Sequence, residues 1–495
     1  MIIAHDLGTT GDKAILMDGS GRVTASATAH YETDFGAGGR AEQDPRAWWQ
    51  AVCAATRELL ESAGCPAEHV AGLSFSGQMT GAVLLDGAGD PVRPAVIWAD
   101  TRSVPQTEQL AQRIGMPAAY RITGHRLNPT YSLEKVMWVR DNEPEAFARV
   151  RRVLLAKDYI AFLLTGVMAT DPSDASSTNA FDQAAGTWSA EILDAAAVPA
   201  GLMPDIVPST TVVGTVTAGA ARQTGLLAGT PVVIGGGDGP MGALGAGRID
   251  AGSGAYCYLG SSSWVSYAAD APLHDPQMRS MTFNHVIPGR FVPTATMQAG
   301  GASVEWITEV LAPGEKNRYD RLLAAAARVQ ASDEGLYFLP YLLGERSPYW
   351  NPKARAVFAG LCRHHGPEHM ARAVVEGVAF NLYSGLRAFL DNGADIRQVD
   401  VIGGGANSPL ILQVLADTWG VPVRRGRLVE QATSVGAAIV GGVGVGMFDG
   451  FAVAQRLAAY QDTVLPDAAT HKRRERGHEL FVDAYRRLEP WFSAL

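Results

Sequence analysis

Short apolar runs separated by glycine-bearing turns open the chain. Residues 1–4 are apolar, Asp6-Leu7-Gly8-Thr9-Thr10-Gly11-Asp12-Lys13 is a polar turn, residues 14–17 are apolar again, and Asp18-Gly19-Ser20-Gly21 returns the chain through residues 22–27. This spacing predicts an antiparallel three-strand meander. Asp44-Pro45 then opens a helix, with Asp44 as N-cap and Pro45 at the first helical position. Trp48, Val52, Ala55 and Leu59 share one face, and Gly64 ends it. A buried strand over 70–75 leads into Ser76-Gly77-Gln78-Met79-Thr80-Gly81. Residues 82–85 and 95–98 read as a hairpin closed around Asp86-Gly87, whose exit is Trp98-Ala99-Asp100-Thr101-Arg102. Between 127 and 182 the period turns helical, with Leu133, Val136, Met137 and Arg140 followed by residues 153–164. The polar run over 170–177 reads as a loop.

The apolar stretch Val232-Val233-Ile234, bounded by Pro231, stops on Gly235-Gly236-Gly237 and then presents Asp238 and Gly239. Such a pattern suits a buried strand opening into a turn free of side chains, with one acid at its mouth. Gly242-Ala243-Leu244-Gly245-Ala246-Gly247 follows as a small-residue helix able to pack closely on a neighbour. The second half restarts the theme. Residues 256–259 are strand-like, Gly260-Ser261-Ser262-Ser263 is a hydroxyl-rich turn, and residues 264–267 return. Gln298-Ala299-Gly300-Gly301-Ala302-Ser303 opens a helix through Trp306. A strand over 399–402 ends in Gly403-Gly404-Gly405-Ala406-Asn407-Ser408 ahead of a helix over 409–419, and a charged helix runs from His471.

At 495 residues the chain exceeds one ordinary core, so two domains are expected, 1–249 and 250–495. Hydrophobic residues make up 47% and charged ones 18%, with 55 Gly and 27 Pro, the make-up of a globular α/β chain with many tight turns. A net charge of -9 offers no attraction to nucleic acid or to an anionic membrane, which leaves small-molecule work. No basic leader precedes the first strand, and Cys53, Cys65, Cys257 and Cys362 show no metal spacing. A cytoplasmic protein with reduced thiols is expected. Residues 432–447 are apolar but shorter than the roughly 20 that span a bilayer, so they read as a packed internal helix.

Asp238 at a strand mouth suits a general base, or equally the cap of the helix that follows. The Gly-Thr-Thr-Gly turn offers backbone N–H groups and hydroxyls to a phosphate, as does the turn at Gly260, although no lysine follows a glycine as a Walker loop requires. The segments 76–81 and 98–102 bring an amide, an indole, a carboxylate and a guanidinium together, a set suited to a polyhydroxylated ligand. Gly237-Asp238-Gly239-Pro240-Met241-Gly242 fits the dinucleotide pattern GxGxxG, but no acid follows about 20 residues on. His365-Gly366-Pro367-Glu368-His369 fits HxxEH, yet Pro367 reads as the first residue of a helix that leaves His365 outside.

With these pieces in order, the chain resembles the FGGY family of carbohydrate kinases, and within it the xylulokinase-like pentulose kinases. The matching segments are DLGTTGDKA (6–14), AEQDPRAWW (41–49), SGQMTGAVLLD (76–86), WADTR (98–102), KDYIAFLLTG (157–166), ATDPSDASST (169–178), GGGDGPMGALGAG (235–247), LGSSS (259–263), GERSPYWNP (344–352), GGGANSPL (403–410) and SVGAAIVGG (434–442). The resemblance implies an α/β, two-domain actin-like ATPase (ribonuclease H-like) fold, with ATP and sugar meeting in a central inter-domain cleft. Asp238 would take the proton from the attacking hydroxyl, and Asp6 would stand with it beside Mg2+. Gly8, Thr9, Thr10, Lys13, Gly260, Ser261, Ser262, Gly300, Gly301, Gly404, Gly405 and Asn407 would hold ATP. Gln78, Met79, Thr80, Trp98, Tyr131, Asp238 and Gly239 would meet the sugar, Tyr131 following a glycerol-kinase-like pattern. Thr80 and Gly239 stand where xylulokinases typically carry His and Asn, so the implied acceptor is a ketopentose or a related ketose or polyol. Homodimerisation stays open, and a nucleotide-gated sugar-binding or sensor protein is the alternative from another class.

Overall fold

The computed structural model describes residues 1–426 and 431–495. Two mixed sheets carry the architecture, and each repeats one plan. In the first, Ile2–Leu7, Gly11–Met17 and Val23–His30 form the expected antiparallel meander. Ile2–Leu7 also pairs in parallel with Gly72–Gly77, which is followed by Pro231–Val233 and the antiparallel edge strand Val212–Thr215. In the second, Phe291–Met297, Ser263–Tyr267 and Ala255–Leu259 are antiparallel. Val399–Ile402 and Val423–Gly426 continue in parallel, and Tyr460–Val464 closes the edge in the opposite sense. Met281–Asn284 is added beyond the second meander.

Helices cover both sheets. Pro45–Ser62 starts as the residues dictate: the Asp44 side chain accepts the Arg46 N–H at 3.0 Å, and Trp48, Val52, Ala55 and Leu59 are buried on the first sheet's core. Pro367–Leu390, buried along most of its length, and Pro409–Trp419 pack around the second, and Ala468–Ala494 packs outside them on Pro409–Trp419 and the strand Tyr337–Leu339. Ala432–Gly444 is the packed internal helix expected of the apolar window. It lies against Ile2–Leu7 and Gly72–Gly77 of the first sheet and along Asp238–Gly245. Among the described residues no helix is long and apolar enough to cross a membrane.

Glycine makes that helix pair feasible. A Cβ on Gly245 would lie 1.9 Å from the Ala432 carbonyl oxygen, and one on Gly436 would lie 2.1 Å from that of Met241. At Gly235 the backbone takes φ +74° and approaches so closely that a Cβ would sit 2.0 Å from the Phe75 carbonyl oxygen. The strand Pro231–Val233 therefore bends there and resumes as Gly236–Gly237, in register with Ser76 and Gly77.

Three expected elements differ. Residues 82–85 and 95–98 are not a regular hairpin. Val83–Leu85 pairs with Arg152–Leu154 and Ala95–Val96 with Arg40–Gln43, while the bridge Ala82↔Val96 joins the two segments and Leu85 bridges to Pro91 between them. Pro91 and Pro94 supply no N–H to a ladder, so the two segments part and find other partners. Residues 152–154 are accordingly strand, and the helix expected from 153 is Ala156–Thr165. The polar run over 170–177 is no open loop: Asp171 caps the helical turn Pro172–Ala175, a 3-10 turn Ser176–Thr178 follows, and nearly all of it is buried.

Gly436→Ala forces the Asp238–Gly245 and Ala432–Gly444 helices apart. Overpacking of this kind costs about 1–3 kcal/mol. Gly201→Ala, where a Cβ meets nothing within 4 Å, should stay within about 0.5 kcal/mol of the parent. Denaturant unfolding of both variants checks this; equal stabilities would show that the helices are not in close contact.

Candidate active site

Strand register delivers two carboxylates to one place. Asp6 pairs with Ser76 on one side of Gly72–Gly77, and Gly236 pairs with the same Ser76 on the other. Asp238, two residues past Gly236, thus leaves the sheet at the edge where Asp6 ends its strand. Gly237 occupies the cap position of the helix Asp238–Gly245, no side chain caps it, and the Asp238 Oδ1 accepts the Gly239 N–H at 2.7 Å. Asp238 starts the helix without capping it, so its other oxygen has no helical duty. The Asp6 Oδ2 accepts the Thr433 hydroxyl at 2.6 Å, a bond that ties the Ala432–Gly444 helix to the first sheet.

Burial pushes the Asp238 carboxyl up to about 7, and repulsion from Asp6 adds to it, against the opposing Gly239 N–H. Asp6 is raised as well, chiefly by burial, while its bonds from Thr433 and Ser76 act the other way. Two neighbouring acids that resist ionisation, with few donors between them, fit a divalent cation. Asp6 and Asp238 are the residues that would hold Mg2+.

A cavity of about 280 Å³ opens beside Asp238, and its walls come from both halves of the chain. Thr9, Met79, Thr80, Trp98, Asp238 and Gly239 contribute from the first, and Tyr256, Ser262, Trp264, Gln298, Arg346 and Thr433 are among those from the second. The Trp98 indole N–H donates to the Thr9 Oγ1 at 2.8 Å, which joins the first turn to this wall. Thr80 has φ +62°, a conformation that β-branched residues rarely take. A Cβ at Gly239 would lie 3.6 Å from the Met79 Sδ, ordinary contact, so the cavity has room at that point. Two expected sugar residues stand behind the wall instead. The Gln78 Nε2 donates to the Gln43 Oε1 at 2.8 Å, and the Tyr131 hydroxyl is spent on the His125 Nδ1, also at 2.8 Å. Arg346 is the wall residue that sequence reading overlooked. It sits in the segment GERSPYWNP, and its guanidinium lies 5.7 Å over the Trp98 ring.

A second cavity, of about 650 Å³, is lined by Gly260, Ser261, Gly300, Gly301, Gly404 and Gly405, with Lys316, Tyr319 and Ile411. The Gly301 N–H donates to the Gly260 carbonyl at 2.7 Å, so the two turns touch, and a Cβ on Gly301 would fall 2.5 Å from that oxygen. At Gly404 a Cβ would meet nothing, which leaves bare backbone for a flat ring to approach. This donor-rich, glycine-lined space fits ATP. Asn407 is not on its wall: its side-chain oxygen accepts from the Arg425 guanidinium at 2.9 Å. Ser262 faces the smaller cavity. Gly8 keeps its turn closed through the Gly11 carbonyl at 3.0 Å, Thr10 and Lys13 are exposed, and the Lys13 charge eases the ionisation of Asp6.

The HxxEH segment behaves as its proline dictates. Pro367 begins the helix Pro367–Leu390 and His365 precedes it. The Nδ1 atoms of His365 and His369 accept the N–H groups of Cys362 and Gly366 at 3.0 and 3.1 Å, which leaves each ring proton on Nε2 and removes the lone pair a metal needs there.

Two repeated sheets, a carboxylate pair, one cavity walled by both halves and a second in the second half make up a two-domain architecture, and comparison with known proteins specifies it. Residues 1–245 match the FGGY family of carbohydrate kinases, N-terminal domain, and residues 255–445 match its C-terminal domain. The xylulose kinase of Escherichia coli (strain K12) is 34% identical over 490 residues, 99% of each chain. A ligand-bound xylulose kinase from Lactobacillus acidophilus superposes with a TM-score of 0.94 at 25% identity, covering 100% of this chain and 99% of that one. A gluconate kinase from the same organism gives 0.93 at 26%, covering 98% of each. The chain belongs to the FGGY family of carbohydrate kinases, and it is a sugar kinase.

Holding its proton to about pH 7 rather than 3.8 means that charging Asp238 costs the unliganded fold roughly 4 kcal/mol. The folded pKa lies above the unfolded one, so this stabilisation is complete below pH 3.8 and is lost as pH rises through 7. Asp238→Asn should therefore raise the unfolding midpoint at pH 8 by roughly 2–6 °C, with a much smaller gain at pH 5. Thermal denaturation without nucleotide or Mg2+ reads this directly. An equal gain at both pH values would mean that Asp238 is an ordinary carboxylate.

Proposed function

We propose that the chain transfers the γ-phosphoryl of ATP to a hydroxyl of a ketopentose or a related ketose or polyol, and that Asp238 is the general base. The observation that carries this reading is the placement of Asp238: half-buried, beside Asp6, on the wall of the smaller cavity, with a carboxyl that protonates near neutrality. A base with a pKa near the working pH combines a useful charged fraction with real affinity for the proton. Phosphoryl transfer asks little covalent chemistry of the protein, so positioning and charge neutralisation suffice. The first turn, with Thr9, and the second, with Ser261, supply donors for phosphate. Asp6 and Asp238 would hold Mg2+, which supplies charge neutralisation when bound, and the division of labour falls near Asp250.

Thr9, Met79, Thr80, Trp98 and Gly239 then enclose the acceptor. In the first half Asp238 receives the hydroxyl proton, and the cavity walls exclude water that would otherwise compete as acceptor. Gly239 leaves room beside Met79 for a longer or differently branched acceptor than D-xylulose. Arg346 favours a second reading of the substrate. Its guanidinium lines the cavity over the Trp98 ring, and among the described residues no carboxylate forms an ion pair with it. A polyhydroxy acid such as gluconate would offer it a carboxylate.

A coupled assay of ADP release over pentuloses, hexuloses, polyols and aldonates decides the acceptor. Stimulation by one class is expected, and a chain that no acceptor stimulates in the presence of Mg-ATP is not a sugar kinase in practice. Asp238→Ala should lower turnover about 10²- to 10⁴-fold while ATP binding, followed by calorimetry, is largely kept. For the parent, kcat should fall as pH drops below about 7, because the base becomes protonated. A rate that is independent of Asp238 would remove it from the reaction.

A further inference from the structure

The buried segment Thr170-Asp171-Pro172-Ser173-Asp174-Ala175-Ser176-Ser177 has no part in the reaction as described, yet it touches three walls of the acceptor cavity. Each of its serines donates its own proton inside the segment and accepts an N–H from outside it. The Ser173 hydroxyl donates to the Asp171 Oδ2 at 2.6 Å and accepts the Gly237 N–H at 3.0 Å, one residue before Asp238. The Ser177 hydroxyl donates to the Asp174 carbonyl at 2.7 Å and accepts the Thr80 N–H at 3.2 Å. The Ser176 hydroxyl donates to the Ser173 carbonyl at 2.8 Å and accepts the Asn284 N–H at 3.0 Å, from a strand of the second half whose Met281 and Phe283 line the cavity.

The segment is itself anchored. Lys157, fully buried, faces Asp158 at 2.5 Å, Asp171 at 3.1 Å and Asp174 at 3.5 Å, and the Ser209 hydroxyl donates to the Asp171 Oδ2 at 2.7 Å. One ammonium serves three carboxylates, all of them shielded from bulk solvent, so the group tolerates little displacement. The fit extends to the turn: a Cβ on Gly236 would lie 2.5 Å from the Ser173 Oγ, and one on Gly77 would lie 3.0 Å from the Lys157 Cβ. Thr80 is held in its positive-φ conformation from both sides, by Ser177 at its N–H and by the Lys135 Nζ, 2.7 Å from its carbonyl oxygen. A strained β-branched residue relaxes unless its surroundings fix it.

We propose that Ser173, Ser176 and Ser177 are positioning residues, each setting one wall of the acceptor cavity from a common scaffold anchored on Lys157: Ser173 the turn that carries Asp238, Ser177 the strained Thr80, and Ser176 the wall from the second half. The kinetic part rests on the kinase reading. Because the serines hold different walls, their loss affects different quantities. Ser173→Ala lowers kcat tenfold or more and leaves the acceptor KM within twofold. Ser177→Ala raises the acceptor KM at least fivefold and leaves kcat within threefold. Ser173→Cys, which keeps a weak acceptor in place, recovers part of kcat. Ser209→Ala, which removes one of the bonds anchoring Asp171 but none to a cavity wall, shifts kcat and KM less than either wall variant shifts its own quantity.

Amide hydrogen exchange in the unliganded protein gives a readout that needs no turnover: exchange should speed up at Gly237 in Ser173→Ala and at Thr80 in Ser177→Ala. The inference is overturned if both alanine variants change kcat and KM alike, if Ser209→Ala matches Ser173→Ala, or if exchange at these two amides is unaltered. A parent protein that phosphorylates no acceptor sinks the kinase reading alone, and the exchange measurement still decides the positioning.

Discussion

Two carboxylates forced into proximity by strand register, in a place where neither is well solvated, are the constraint around which the neighbouring structure is arranged. Asp6 and Gly236 flank the same Ser76, so Asp238 cannot leave the sheet anywhere except beside Asp6. Burial is the main reason both acids hold their protons above the ordinary range, and at Asp238 repulsion from Asp6 adds to it. A ligand cation turns the same repulsion into binding affinity, since what destabilises the empty pair is what a divalent ion removes.

The two halves meet this constraint by different means. The first sheet supplies both acids. The second half sends the helix Ala432–Gly444 across to the first sheet, where Thr433 bonds Asp6 and the backbone near Gly436 presses on the helix that Asp238 begins. The glycine turns of the larger cavity sit on the second sheet, Gly260 and Ser261 against Gly300 and Gly301, and share no side chain with the acid pair. Charge is thus concentrated on one sheet and backbone donors on the other, with the acceptor cavity drawing its wall from both.

How legible each part was in the sequence follows from the range of the interaction involved. The meander, the helix opened by Asp44-Pro45 and the bend at Gly235 depend on near neighbours, and the residues announce them. Pairing partners do not announce themselves: prolines at 91 and 94 divert two segments that read as one hairpin. Gln78 and Tyr131 carry the right chemistry for a sugar wall but spend it on Gln43 and His125, choices set by how the chain folds around them and not by any sequence pattern. Asn407 likewise goes to Arg425. Arg346 and the serines of 173–177 were in view as members of matched segments, yet their reach into the cavity walls depends on contacts between residues far apart in the chain, 64 residues for Ser173 with Gly237 and 108 for Ser176 with Asn284.

The central claim is that Asp238 is a half-buried acid whose proton affinity is set by its surroundings for exchange near neutral pH. A titration of its side-chain carboxyl carbon by ¹³C NMR, in protein free of nucleotide and Mg2+ and assigned by comparison with Asp238→Asn, tests this most directly. The structure predicts a midpoint near 7, and a midpoint near 4 would contradict it.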